Sequence, residues 1–154
     1  MAWAYVQSAV SAITTTSVAT VVPASPITVG NRLIAVSYMA EGTTQGTIAV
    51  SDSAGNTWTQ EITINEPTNN TDLYIHSAPI TAGGGTTPTV SLTNAGGGNA
   101  AFLQVAVLEY SGLSTIVGSG ADVSASHAVA TASTAPNSGT SGLTAAARVQ
   151  YPRH

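Results

Sequence analysis

The run from Ala100 to Gly112, AAFLQVAVLEYSG, has apolar side chains on both sides of an extended chain. One side carries Leu103, Val105 and Val107, and the other carries Phe102, Ala106 and Leu108. The run has β-branched and aromatic members, lacks a polar helical face and is bounded by GGGN and SG, which together favour a strand over a helix. Because both faces are apolar, we expect a central strand that is buried inside a sandwich.

A second run of this kind, RLIAVSYM, covers Arg32 to Met39. We expect the remaining segments to cover these two runs. The other candidate strands are short, and they lie at 3–10, 13–22, 47–50, 57–64, 72–80 and 89–93. No segment has a helical period. The pattern predicts an all-β fold: a jelly-roll-like, two-sheet antiparallel β-sandwich of about eight strands.

The clearest hairpin signal surrounds the turn at 51–56, SDSAGN. The segment that follows, Thr57 to Ile64, alternates, with Trp58, Gln60, Ile62 and Ile64 on one face. This pattern predicts that strand 47–50 pairs with strand 57–64 across the turn. Pro79 lacks a backbone donor, and we expect it to turn the end of strand 72–80 towards a sheet edge.

The length of 154 residues fits one domain. We assign residues 1–131 to the β-sandwich, with 121–131 as a weak last strand. Residues 132–154 are rich in Gly, Ser, Thr and Ala, and we expect an irregular tail. That tail is predicted to be extended or mobile, or to be an arm ordered against a neighbouring subunit.

Charged residues make up only 6% of the chain, the formal net charge is −4, and lysine is absent. The three arginines are Arg32, Arg148 and Arg153, so no cationic surface is expected for nucleic acid or anionic membrane. The absence of cysteine excludes disulfides and thiolate metal sites. No signal peptide or transmembrane run is recognised. A hydrophobic fraction of 43% argues against disorder.

Two groups of polar residues are candidate sites. Asp52 and Asn56 flank Gly55 and offer oxygen ligands for calcium, but the full calcium-loop motif is absent, so a structural Asx turn is favoured. Glu109 lies in the most apolar run and needs a partner if it is buried. Arg32 is the one cation outside the tail, and we hypothesise an Arg32–Glu109 ion pair.

No catalytic, cofactor-binding or metal-binding residue is assigned. His76, His127 and His154 lack metal-ligand spacing, no G-x-S-x-G motif occurs, and the glycine runs at 83–85 and 96–98 lack the lysine of a phosphate loop. An enzyme would need two carboxylates facing one cleft, for example those of Asp72 and Glu109.

A carbohydrate site would need an exposed aromatic platform. The available aromatic residues include Trp3, Tyr5, Tyr38, Trp58 and Tyr74. Aromatic residues are only 5% of the chain, and we expect most of them to be needed in the core. An exposed coplanar pair would favour sugar binding.

Four segments occur in the order NRLIAVS, VSDSAGNTWTQ, LYIHSAPITAGG and LEYSGL. Over residues 3–113 the chain resembles a group of jelly-roll-like β-sandwich domains from phage and prophage structural genes and secreted bacterial proteins. The resemblance implies a virion component, an adhesion domain or an accessory domain of an extracellular enzyme. We expect a non-enzymatic phage structural protein, such as a head decoration or tail-associated subunit, that assembles in the host cytoplasm. It is expected to contact copies of itself or other virion proteins. The alternative is an extracellular carbohydrate-binding or adhesion module.

Overall fold

The computed structural model describes residues 2–40, 47–66, 70–95 and 102–119. Within these ranges the chain forms eight β-strands and no helix. The strands are β1 Ala4–Val10, β2 Val18–Val21, β3 Arg32–Ala40, β4 Ile48–Asp52, β5 Thr59–Glu66, β6 Thr71–Pro79, β7 Val90–Asn94 and β8 Phe102–Ser111. The predicted tail at 132–154 and the predicted weak strand at 121–131 lie outside the described residues.

The strands form two antiparallel sheets. One sheet has five strands in the order β1-β8-β3-β6-β5, and the other has three in the order β2-β7-β4. Apolar residues of both sheets form one core, which confirms the predicted two-sheet β-sandwich. The strand order follows an eight-stranded jelly roll, with one difference. Strand β5 joins the larger sheet beside β6, whereas in a regular jelly roll it lies beside β4.

Strand β3 lies between β8 and β6 and pairs with both over its whole length. Its odd-numbered residues Leu33, Ala35 and Met39 are fully buried against the smaller sheet. The residues that meet them in the core are Ala19, Val21, Ile48, Tyr74, Val90, Leu92, Leu103, Val105 and Val107. Alternation along each strand therefore directs one side of the five-stranded sheet inward.

The predicted hairpin between β4 and β5 is wrong. The turn forms, but among the described strands β4 pairs only with β7 and β5 pairs only with β6, so the chain crosses from one sheet to the other. The predicted alternation within β5 also fails, because a register shift between Gln60 and Ile62 moves Ile62 and Ile64 to the opposite face from Gln60.

Two further expectations concern strand position. Strand β6 lies between β3 and β5, but its end at Pro79 pairs only with β3, so that end lies at the sheet edge as expected. Strand β5 begins at Thr59, opposite Ser77, so no residue of β5 lies opposite Pro79 and its missing donor costs no bond there. The segment predicted as a strand from residue 13 begins only at Val18, after an isolated bridge from Thr14 to Leu103.

The expectation that β3 and β8 are covered on both faces is wrong for the described part of the chain. A two-layer sandwich buries one face of each sheet, and no third layer of described residues covers the outward side of the larger sheet. Among the described residues, no helix has the length and apolar character needed to span a membrane.

Candidate functional site

The outward side of the five-stranded sheet is mostly apolar. We call it the outer face, and the strand registers place on it Tyr5, Val10, Ile34, Val36, Tyr38, Ile62, Ile64, Leu73, Ile75, Phe102, Ala106, Leu108 and Tyr110. Every one of these side chains is exposed or half-buried. An antiparallel sheet that faces water normally alternates apolar residues inside with polar residues outside, and this sheet does not.

The centre of the outer face is a shallow groove of about 180 Å³. Its walls include Val36, Tyr38 and Ala106, with Val10 from the edge strand. Tyr38 is 43% exposed and Val10 is 63% exposed, so these apolar groups face solvent in the single chain. Gln104 also lines the groove, but its amide nitrogen donates to the carbonyl of Ser11 at 3.1 Å.

The outward side of the three-stranded sheet is different. Its outward positions are Val18, Thr20, Ala49, Ser51, Ser91 and Thr93. Four of these six side chains are hydroxyl-bearing, which is the usual character of a solvated sheet face. The two outward sides of this sandwich therefore differ in chemistry. Most positions of the outer face are apolar, and its polar residues are Ser8, Arg32, Thr59, Glu66, Thr71, Ser77 and Gln104.

An exposed aromatic group lies at one end of the outer face. The rings of Trp3 and Tyr5 each contact Tyr110 edge-on, with centroids 6.1 and 5.8 Å apart and ring planes at 61° and 72°. Trp3 is 67% exposed. These rings are not coplanar, so the criterion for a flat sugar platform is not met by these pairs.

The expectation that most aromatic residues fill the core is wrong. Tyr74 is buried and Trp58 is half-buried, whereas Trp3, Tyr5, Tyr38 and Phe102 are all exposed. The core is built mainly from aliphatic side chains instead. Sequence reasoning missed the outer face, although the doubly apolar pattern of β3 and β8 was the signal that could have revealed it.

Arg32 lies at the start of β3 on the outer side, and only 1% of it is exposed. Its guanidinium donates to the Ser77 hydroxyl at 2.6 Å and to the backbone carbonyls of Ser114 and Ile116. The Ser77 hydroxyl donates in turn to the Glu61 carboxylate at 2.6 Å. Burial lowers the pKa of Arg32, and the negative charge of Glu61 opposes this shift. These bonds hold the segment after β8 against the sheet.

Glu109 is equally buried, but it points to the inner side. Its carboxylate accepts from the Gln7 amide at 2.6 Å, the Asn31 amide at 2.7 Å and the Thr28 backbone N–H at 3.0 Å. The hypothesised Arg32–Glu109 ion pair does not form. Leu33, not Arg32, lies opposite Glu109, and adjacent residues of a strand point to opposite faces.

Asp52 and Asn56 form the predicted Asx turn. One Asp52 oxygen accepts from the backbone N–H of Ala54 at 2.9 Å, and the other accepts from the Trp58 indole at 2.7 Å. The Asn56 carbonyl accepts from the backbone N–H groups of Thr81 and Ala82. Both oxygens of Asp52 are thus directed at N–H donors, and within the described ranges no three acidic or histidine side chains group as metal ligands.

Ser37, His76, Asp72 and Glu109 lie buried on the inner side of the larger sheet. Ser37 Oγ and His76 Nδ1 are buried without a hydrogen-bond partner in the described structure. Asp72 lies opposite Met39 and Glu109 lies opposite Leu33, so six residues of β3, or about 20 Å, separate them. The suggested carboxylate pair therefore cannot face one cleft. His127 and His154 lie outside the described residues.

The four segments that carry the resemblance meet at one end of the sandwich. The start of β3 lies beside the end of β6 and the end of β8, since Arg32 pairs with both Pro79 and Tyr110. The Asx turn is bonded to the residues just after β6. These segments thus supply turns and buried polar contacts, which are structural roles. No protein-family model, curated protein or solved structure matches this chain.

Arg32 and Glu109 have separate hydrogen-bond partners, so Arg32 should be coupled energetically to Glu61 and not to Glu109. We expect Arg32→Met and Glu61→Gln to couple by about 0.5–3 kcal/mol, because both residues bond to Ser77. Arg32→Met and Glu109→Gln share no partner and are expected to add within about 0.5 kcal/mol. Urea unfolding of each double-mutant cycle measures the two couplings. A larger coupling to Glu109 than to Glu61 would contradict the assignment.

His76 predicts a pH dependence of stability. Burial lowers the pKa of His76 below its ordinary value of 6.5. The negative charge of Glu61 and a hydrogen bond to the Ile48 backbone raise this pKa, but their effect is smaller than that of burial. Near and below pH 6.5 the unfolded chain therefore binds more protons than the folded chain, so stability falls as the pH falls. Urea midpoints at about pH 7.5 and about pH 5.5 should differ more for the native chain than for His76→Phe. An equal pH difference in both proteins would contradict this account.

Proposed function

We propose that this chain is a non-enzymatic structural protein that acts through repeated protein–protein contacts, as a component of a phage virion. The observation that carries the proposal is the apolar outer face. Five strands about 4.8 Å apart and about seven residues long give it an area of roughly 550 Å². Apolar residues occupy most of this area, so the apolar patch is comparable with the largest patch of a typical monomer, about 300–600 Å², and patches of this kind mark interaction sites.

The edges of both sheets favour contact through a face rather than through added strands. Edge strands β1 and β5 each contain a register shift, and β5 also carries Glu61 and Glu66. Edge strands β2 and β4 are only 4 and 5 residues long. Bulges, charges and short length are the usual devices that discourage strand addition.

The virion assignment draws support from the resemblance of the four segments to phage and prophage β-sandwich domains. With 6% charged residues, the chain presents a surface of hydroxyl, amide and apolar groups. Such a surface packs closely against other proteins without burying unpaired charge. The proposed site of action is the assembled particle, with copies of this chain or other virion proteins as partners and no nucleic acid contact.

The second candidate function is a carbohydrate-binding or adhesion module outside the cell. The observation that favours it is the exposed group of Trp3, Tyr5 and Tyr110. The Tyr5 hydroxyl shares a hydrogen bond with the Ser8 hydroxyl at 2.9 Å, which gives the group a polar neighbour. The crossed ring planes make this the weaker candidate, since sugars stack on flat aromatic surfaces.

The two candidates are separated by where the protein is found and by what it binds. Particles purified on a density gradient from the source cells should contain this chain in many copies per particle, as judged by quantitative mass spectrometry. The purified protein should bind no member of a glycan array. Recovery of the chain only in particle-free fractions, with glycan binding that Trp3→Ala abolishes, would overturn the structural proposal in favour of the second.

A further inference from the structure

We infer that the outer face is the surface through which two copies of this chain pack together, sheet against sheet. The inference rests on the proposed function and names the partner of its site. The centre of the contact is formed by Val36, Tyr38, Ile75 and Ala106, which lie side by side on β3, β6 and β8.

The area of the outer face suits a pair of copies. An area of roughly 550 Å² from each copy gives about 1,100 Å² for the pair, from the strand spacing and rise. A stable and specific interface needs about 1,000 Å² or more. Two sheets pack face to face about 10 Å apart in β-sandwiches. The outer face of a second copy is also a sheet, so it can pack on this outer face in the same way.

The chemistry of the outer face suits a copy of itself. Its central part has no charged side chain, so a partner of opposite charge has nothing to recognise there. In a two-fold dimer the same patch of both copies is in contact, so the patch needs only to be complementary to itself, which apolar contacts allow. Tyr38, Phe102 and Tyr5 are of the residue types enriched at such interfaces. The carboxylates of Glu61 and Glu66 lie on edge strand β5, where they stay at the polar rim.

The position of Arg32 limits where the contact extends. The carbonyls of Ser114 and Ile116 cover its guanidinium, so the segment after β8 occupies one end of the outer side. The groove at Val36 and Tyr38 lies farther along the same strand, beyond that cover. The groove thus lies in the open part of the outer face.

Sedimentation equilibrium of the full chain over a concentration series tests the inference. We expect a monomer–dimer equilibrium in which Tyr38→Lys and Val10→Lys each raise the dissociation constant at least about tenfold, because each change buries a charge in the contact. Both positions are exposed in the single chain, so both variants should fold. Val18→Lys is the matched control, since Val18 is 41% exposed on the opposite side of the sandwich.

The outcomes are distinct. A dissociation constant raised by the two outer-face variants and unchanged in the control supports the inference. If the chain self-associates but the outer-face variants do not weaken the association, the inference is overturned. The proposed function still stands in that case, because the copies then contact each other through another surface. If the chain is monomeric at every concentration, the inference is overturned whether or not the chain is found in particles. The cover of the outer face is then another protein or residues 120–154.

Discussion

The antiparallel ladder between β3 and β8 is the constraint on which the rest of the structure depends. Both of these strands carry large apolar side chains on both sides. Pairing them at the centre of one sheet places Leu33 and Leu103 in the core. The same pairing places Val36 and Ala106 side by side on the opposite side of the sheet. A well-packed core on one side therefore comes with an apolar outer face on the other.

The buried polar contacts at one end of the sandwich fix the relation between strands and loops. Glu109 joins β8 to β1 and to the loop before β3, and Asn56 joins the Asx turn to the residues after β6. In a chain with so few charges, these groups are bonded to amides, hydroxyls and backbone rather than to opposite charges. These bonds hold one end of the larger sheet in place. The outer face of this sheet is therefore a preformed surface, which lowers the entropy cost of binding a partner.

Period-two alternation and the absence of a helical period were enough to predict the two-sheet sandwich and the position of most strands. The Asp52 part of the Asx turn was also predictable, because its bonds to Ala54 and Asn56 are local, whereas the bonds from Thr81 and Ala82 to Asn56 are not. The turn chemistry at Asp52 did not reveal which sheet the next strand joins, since that depends on the distant partner β6. The predicted Arg32–Glu109 pair was wrong because Glu109 lies opposite Leu33, and an offset of one residue puts the Arg32 side chain on the other face of the sheet. This register is a property of the folded sheet and cannot be read from the local sequence. The outer face was missed because a doubly apolar strand was interpreted as doubly buried.

The central claim is that the outer face is buried between copies of the chain. The chain has no cysteine, so one introduced thiol reports on one place. Ala106→Cys puts a thiol at the centre of the outer face, and Ala49→Cys puts one on the opposite side of the sandwich as a control. The account predicts that alkylation of the thiol at 106 slows as protein concentration rises, while alkylation of the thiol at 49 keeps its rate. Equal rates at 106 in dilute and concentrated protein would contradict it.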